Sequence, residues 1–201
     1  AYEVRFLRAF YYFELIKRYY NVPLVLEVLS PGEANNVHPS SFETVAKFIL
    51  SECTELATLL PLDYSGFADK ETGRATRGAA LALKARLMLY MASPLFAGND
   101  NQEEKWKDAA RAAYAIINPE TGLNYQLDRF ANLFGANNNT SKEMIMARPI
   151  GTYGAFERAN FPMGVEGGNT NTCPTQNLVD AFEMTSGEAF DWNNSTMKAN
   201  P

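Results

Sequence analysis

The sequence predicts a mainly α fold, with irregular helix pairs lying side by side and a loop-rich ligand-binding region after them. Three observations lead there. The run Gly73–Phe96, GRATRGAALALKARLMLYMASPLF, is apolar almost all the way round from Thr76 to Met91, apart from Arg77, Gly78, Lys84 and Arg86. A helix without a polar face is covered by other helices on several sides. Three further stretches, beginning at Tyr2, Phe42 and Glu103, space their apolar residues three and four apart, as a helix with one buried stripe does. Beyond Arg148 the composition turns to glycine, asparagine and isolated aromatics.

In Tyr2–Tyr19 the buried stripe is expected to be Phe6, Ala9, Phe10, Phe13 and Ile16. The neighbouring rings of Tyr2, Tyr11, Tyr12, Tyr19 and Tyr20 read as core too. Asn21 suits the left-handed turn that ends a helix, and Val22-Pro23 blocks continuation. Leu24–Leu29 then reads as extended and Ser30–Ser40 as a polar loop. Ser40-Ser41-Phe42-Glu43 has capping-box spacing and starts the second helix. Its stripe is Phe42, Val45, Ala46, Ile49, Cys53, Leu56, Ala57 and Leu60, and it ends at Pro61.

A loop, Leu62–Arg74, leads into the central helix. There Ala79, Ala80, Ala82 and Ala85 let neighbours approach closely, while Leu83, Leu87, Tyr90 and Met91 fill the space between. Ser93-Pro94 stops it, because proline supplies no N–H. In Glu103–Ile117 the residues expected to face inwards are Trp106, Ala109, Ala110, Ala113, Ile116 and Ile117, with Asn118-Pro119 as the stop. These last two helices have the small residues, Trp and Tyr, and terminal proline of tetratricopeptide-type pairs, but not a clean repeat of about 34 residues. Irregular tetratricopeptide-like pairs are therefore expected instead of a regular solenoid.

Tyr125–Phe134 reads as a short helix or turn, Gly135–Ser141 as a polar loop and Glu143–Arg148 as extended. Arg148–Cys173 reads as loop throughout. Pro174–Met184 reads as a helix with proline in its first turn and Leu178, Val179 and Phe182 facing inwards. Two parts follow: a helical one over 1–146 and a loop-rich one over 147–201.

A chain of 201 residues, 46% hydrophobic and 20% charged, can bury a core. Its net charge of −5, without a basic run of five, argues against a nucleic-acid partner. Lys84 and Arg86, at the middle of the most apolar run, argue against a membrane span. Cys53 falls on a helical stripe and reads as a small core residue, not as a disulfide partner of the distant Cys173. No signal peptide or lipid-attachment motif is visible, but Ala1–Phe6 already reads as the interior of a helix. A fragment of a longer chain is the expectation.

Little in the sequence supports catalysis. His38 is the only histidine, it lies in a loop beside Pro39, and no G-x-S-x-G elbow is present. No Cys/His cluster has zinc spacing, and Gly164, Gly167 and Gly168 fit neither a Walker nor a dinucleotide pattern, so no metal or cofactor is expected. Glu157, Glu166, Asp180 and Glu183 leave a carboxylate pair open, although a glycosidase needs a separation of roughly 5–10 Å that a sequence does not display. Asp69–Gly73 and Asn99–Asn101 are oxygen-rich but lack the calcium-loop pattern and read as solvated turns.

A ligand is best placed in Arg148–Cys173. Tyr153, Phe156 and Phe161 stand there among glycines, where no helical stripe demands them. The apolar face of a pyranose lies well against such rings, while Arg158, Asn160, Asn169 and Asn171 can hydrogen-bond its hydroxyls. The plainer alternative is that these rings tuck the loop onto the helical body.

Taken together, the motifs resemble one family. Glu3–Leu24, EVRFLRAFYYFELIKRYYNVPL, is similar to the RFLRAFYYF…YGGVPL helix and turn of the SusD/RagB family, and Gly73–Phe96 to its GRATKGAA…ALKARL…SPLF core. Trp106–Ala110, Tyr125–Phe134, Lys142–Arg148 and PTQNLVDAFEM (Pro174–Met184) follow in the family's order, so the resemblance covers essentially the whole chain. One departure is Tyr20-Asn21, where the family commonly has two glycines.

The resemblance implies a lipid-anchored protein on the outer face of the outer membrane of Bacteroidetes-type bacteria. Such a protein caps a SusC-like TonB-dependent transporter, binds glycans or in some cases peptides for import, and is not an enzyme. The fragment would lack the anchoring residue and the C-terminal part. The family's sugar-contacting aromatics sit in variable loops, so Tyr153, Phe156 and Phe161 rest on position and chemistry. Alternatives are a helical interaction scaffold without its own ligand, a peptide binder, or a hydrolase.

Overall fold

In the computed structural model, which describes residues 1–65, 73–97, 102–133, 141–148 and 154–199, the apolar stripes set the helices. The chain divides into two units, Ala1–Pro149 and Ile150–Pro201. Among the described residues the fold is mainly α, and the only β pairing is two isolated bridges, Val22 with Ser40 and Glu183 with Ala189.

In the first unit, α1 (Tyr2–Tyr19) buries Phe6, Ala9, Phe13 and Ile16, with Phe10 half-buried beside them. The helix ends at Tyr20, not Asn21: Tyr20 carries the positive φ, 63°, and its N–H donates to the Ile16 carbonyl. Asn21 does different work, its Oδ1 accepting from the Phe42 N–H at 2.9 Å at the start of a later helix. The polar stretch after Ser30 holds a one-turn helix, α2 (Pro31–Ala34), because Ser30 and Glu33 form a complete capping box.

α3 (Phe42–Leu59) is capped by Ser41, whose Oγ accepts from the Thr44 N–H. The expected Ser40/Glu43 box does not form: Ser40 pairs through its backbone with Val22, and Glu43 reaches forward to Lys47. The helix buries the predicted stripe, Phe42 through Leu56, and adds Glu52 to it. Arg5 of α1 makes that burial tolerable, holding both Glu52 oxygens at 3.0 and 2.7 Å. The same guanidinium bonds Glu55, and it pulls the Glu52 carboxyl below its ordinary range.

α4 (Arg77–Ala92) is the centre of the unit. Thr76 caps it, and Ala79, Ala80, Leu83, Ala85, Leu87 and Ala92 are buried along it. It packs on α3, touches α1, and is followed by the single turn α5 (Pro94–Ala97) and by α6 (Gln102–Ile117), which lies along it. Only a narrow strip around Arg86 and Leu89 faces solvent. A ladder of rings, Phe13–Tyr90–Phe96–Phe42–Tyr20, with neighbouring centroids 4.8 to 5.8 Å apart, ties α1, α3, α4 and α5 together.

Two expectations about buried faces fail here. On α6 the seam takes Ala109 and Ile116, whereas Trp106, Ala110, Ala113 and Ile117 are exposed. On α1, Tyr2, Tyr11, Tyr19 and Tyr20 also stay exposed, and only Tyr12 turns in, its hydroxyl exchanging hydrogen bonds with both backbone groups of Val25. A 3-10 turn (Pro119–Thr121) and α7 (Phe130–Leu133) close the unit, with Ser141 and Glu143 held to Asp128.

Candidate functional site

The second unit is built by local rules. Ala155-Phe-Glu-Arg-Ala-Asn sits between Gly154 and Pro162, so good helix formers give one short helix, α8 (Ala155–Asn160), inside a stretch expected to be loop throughout. The chain after Phe161 then doubles back on that helix. The Asn169 N–H donates to the Arg158 carbonyl at 2.8 Å, Thr172 to Ala159 at 2.9 Å and Thr170 to Phe161 at 3.0 Å. These bonds satisfy carbonyls that a helix C-terminus otherwise leaves open. The Thr170 hydroxyl accepts from the Met163 N–H at 2.7 Å and fixes the far side of the loop.

Gly168 is required at the crossing. A Cβ there would lie 2.4 Å from the Pro162 carbonyl oxygen and 2.8 Å from that of Phe161. No side chain fits against two backbone oxygens at that range.

The predicted contact residues fall on this loop-and-helix body in different ways. Phe156 projects from α8 with 76% of its surface exposed, and Phe161, at the helix end, is 45% exposed. Arg158 lies on α8, its Nε donating to the Gly154 carbonyl, and Asn160 spends its amide N–H on the Phe156 carbonyl. Asn169 and Asn171 are exposed on the returning strand of the loop, where the Asn169 backbone joins Arg158. Tyr153 lies outside the described residues, as do Asp69–Thr72 and Asn99–Asn101 of the oxygen-rich turns.

Farther along, α9 (Gln176–Asp180) is shorter than the helix expected over Pro174–Met184. Thr175 is its cap, so Pro174 precedes the first turn, and Leu178, Val179 and Phe182 are exposed instead of facing inwards. The chain leaves the helix because Glu183 pairs with Ala189 across a turn whose Gly187 has φ 83°. That turn delivers Trp192 back to α9. Its Nε1–H donates to Asp180 Oδ1 at 2.9 Å, and the ring of Phe190 meets it edge-on at 4.9 Å. α10 (Ser195–Ala199) follows. Sequence reading missed Trp192. Its one signal was rarity, since the chain has two tryptophans and this one follows a glycine turn.

No described residue of this unit, 154–199, is buried. Its order comes from hydrogen bonds and turns, and it presents rings, amides and carboxylates to solvent. Of its carboxylates, Asp180 is engaged by Trp192 and Gln176. Among the described residues, no three His, Cys, Asp or Glu side chains are grouped to hold a metal ion. His38 is exposed in its loop. Cys53 is fully buried, and burial pushes its thiol up to about 12. Cys173 is exposed and free. Ring faces beside amide and guanidinium donors suit the non-covalent holding of a polyhydroxylated ligand.

No protein-family model matches the chain, and no curated protein matches it. Solved structures do. A SusD-like protein from Bacteroides fragilis NCTC 9343 is similar at 28% identity and TM-score 0.74, over 94% of this chain and 36% of its own. A SusD-like carbohydrate binding protein from the same organism is similar at 29% identity and TM-score 0.73, over 96% of this chain and 36% of its own. A laminarin binding SusD-like protein matches 72% of this chain and 29% of its own, at 28% identity and TM-score 0.56. The chain therefore spans about a third of the length of the solved structures it matches.

Proposed function

We propose that the chain is part of a SusD-like protein and binds a glycan at the bacterial cell surface for nutrient uptake. The observation that carries this is the exposure of two rings, Phe156 on α8 and Phe161 at its end, where the following loop is bonded back onto the helix through its own backbone. The description of two similar structures as carbohydrate binding and laminarin binding points the same way. In this reading Tyr153, Phe156 and Phe161 stack on sugar rings, and Arg158, Asn160, Asn169 and Asn171 hydrogen-bond hydroxyls. Residues 1–146 serve as the helical platform and 147–201 as the start of the ligand-bearing region.

The full-length protein is then lipid-anchored on the outer face of the outer membrane and works beside a SusC-like TonB-dependent transporter. No helix among the described residues is long and apolar enough to cross a membrane. Binding, not catalysis, is the activity proposed; release of reducing sugar from a bound polysaccharide would overturn that part.

Isothermal titration against a panel of soluble polysaccharides, laminarin included, tests the reading. We expect saturable binding to at least one glycan. Replacing Phe156 and Phe161 together with alanine should weaken it about tenfold or more, two aromatic contacts being removed.

A second reading, a helical scaffold that holds a partner, is favoured by one observation. The outer side of α1 carries an apolar groove lined by Val4, Leu7, Tyr11 and Leu15. A pure scaffold would bind no glycan, and the double alanine variant would keep all its activity.

A further inference from the structure

The first ligand-bearing loop is not the only place where this unit holds a ring ready. We propose that Trp192 is a second stacking platform for a pyranose ring, with Asp180 as its positioning residue. This rests on the glycan-binding reading given above and extends it to residues 176–193.

Four observations meet at this ring. The indole is 48% exposed, in a unit whose described residues include no buried side chain, so it is not filling a core. Its one polar atom is already committed, the Nε1–H donating to Asp180 Oδ1 at 2.9 Å. The same oxygen accepts from Gln176 Nε2 at 2.7 Å, which holds Asp180 to its own helix. Phe190 then packs against the indole edge-on, centroids 4.9 Å apart and planes at 73°. With its N–H bonded and Phe190 against it, the ring is restrained, and it offers a ligand π-surface without a free donor.

That surface fits the C–H face of a sugar better than it fits a hydrogen-bonding ligand. Groups able to reach hydroxyls stand next to it in the chain: Asp191 and Asn193, the latter's Nδ2 bonded to Asp191 Oδ1 at 3.1 Å. Pre-organisation matters energetically, because a side chain already immobilised loses little entropy when a ligand arrives.

Only Trp106 and Trp192 fluoresce as tryptophan in this chain, so the test can read the proposed ring directly. Trp106→Phe leaves Trp192 as the single reporter, and that variant should shift or quench its emission as a polysaccharide identified by calorimetry saturates it. Trp192→Ala should bind the same polysaccharide about fivefold to tenfold more weakly, the size of one aromatic contact. Asp180→Ala should give a smaller loss together with a broader, red-shifted Trp192 emission in the Trp106→Phe background, which a merely structural role elsewhere would not produce.

If the unaltered chain binds glycan while Trp192 emission stays flat and Trp192→Ala binds as tightly, this inference falls and the proposed function stands. If the unaltered chain binds no glycan, both fall together.

Discussion

Glu52 is a buried carboxylate on the seam between α1 and α3, and two guanidiniums face it, Arg5 bidentate and Arg8 at 3.4 Å. Removing its charge while Arg5 stays should cost about 2–3 kcal/mol of unfolding free energy in Glu52→Gln, read by urea denaturation. The pH dependence has a definite sign. Arg5 lowers the native carboxyl below 4.5, so the unfolded chain takes up the proton first on acidification. The stabilisation is complete above about pH 4.5 and fades as pH falls through the lower native value. Glu3, paired with Arg74, is lowered in the same direction and adds to the loss. Glu52→Gln should therefore show a shallower acid slope than the unaltered protein.

Gly168 carries the corresponding weight in the second unit. In Gly168→Ala the new Cβ must push aside the carbonyl of Pro162 or Phe161, and the bonds from Asn169 and Thr170 to α8 lengthen with it. Limited proteolysis should cut the variant faster between Phe161 and Cys173, and glycan affinity should drop although every aromatic is retained.

Among the elements, α4 is the one on which the first unit is packed. Leu87 is fully buried in the middle of it, and Leu87→Ala should cost about 2–5 kcal/mol, against less than 0.5 kcal/mol for Leu89→Ala on the solvent strip. This helix is legible in the sequence because its long run of apolar and small residues and its Ser93-Pro94 stop agree. α1 and α3 were legible for the same reason.

Elements marked by a single signal differ from their expected form. Apolarity alone marks the α6 stripe, and with alanines on several faces the spacing does not say which one a close-packed neighbour accepts. Ser40 and Glu43 matched a capping box, yet Ser41 was one residue nearer the helix and the bridge to Val22 had claimed Ser40. In the candidate site, the exposed rings of Phe156 and Phe161 could be anticipated from their glycine-rich setting. Trp192 could not, because what fixes it is a hydrogen bond from across a turn, twelve residues away.

The two units of the molecule are stabilised by different physics. Residues in the first bury a continuous apolar cluster from Phe6 to Leu87. The second has no buried residue among those described and relies on capped turns. Order of that kind sits at the low end of local stability, where binding loops are commonly found, and it gains most when a ligand covers it.

Hydrogen–deuterium exchange, followed by mass spectrometry with and without a saturating polysaccharide, tests this division of labour most directly. The account predicts fast exchange over 154–199 in the free protein, slowed about tenfold or more by the glycan, with α3 and α4 protected equally in both states. Slowing confined to the helical unit, with 154–199 unchanged under saturation, would contradict it.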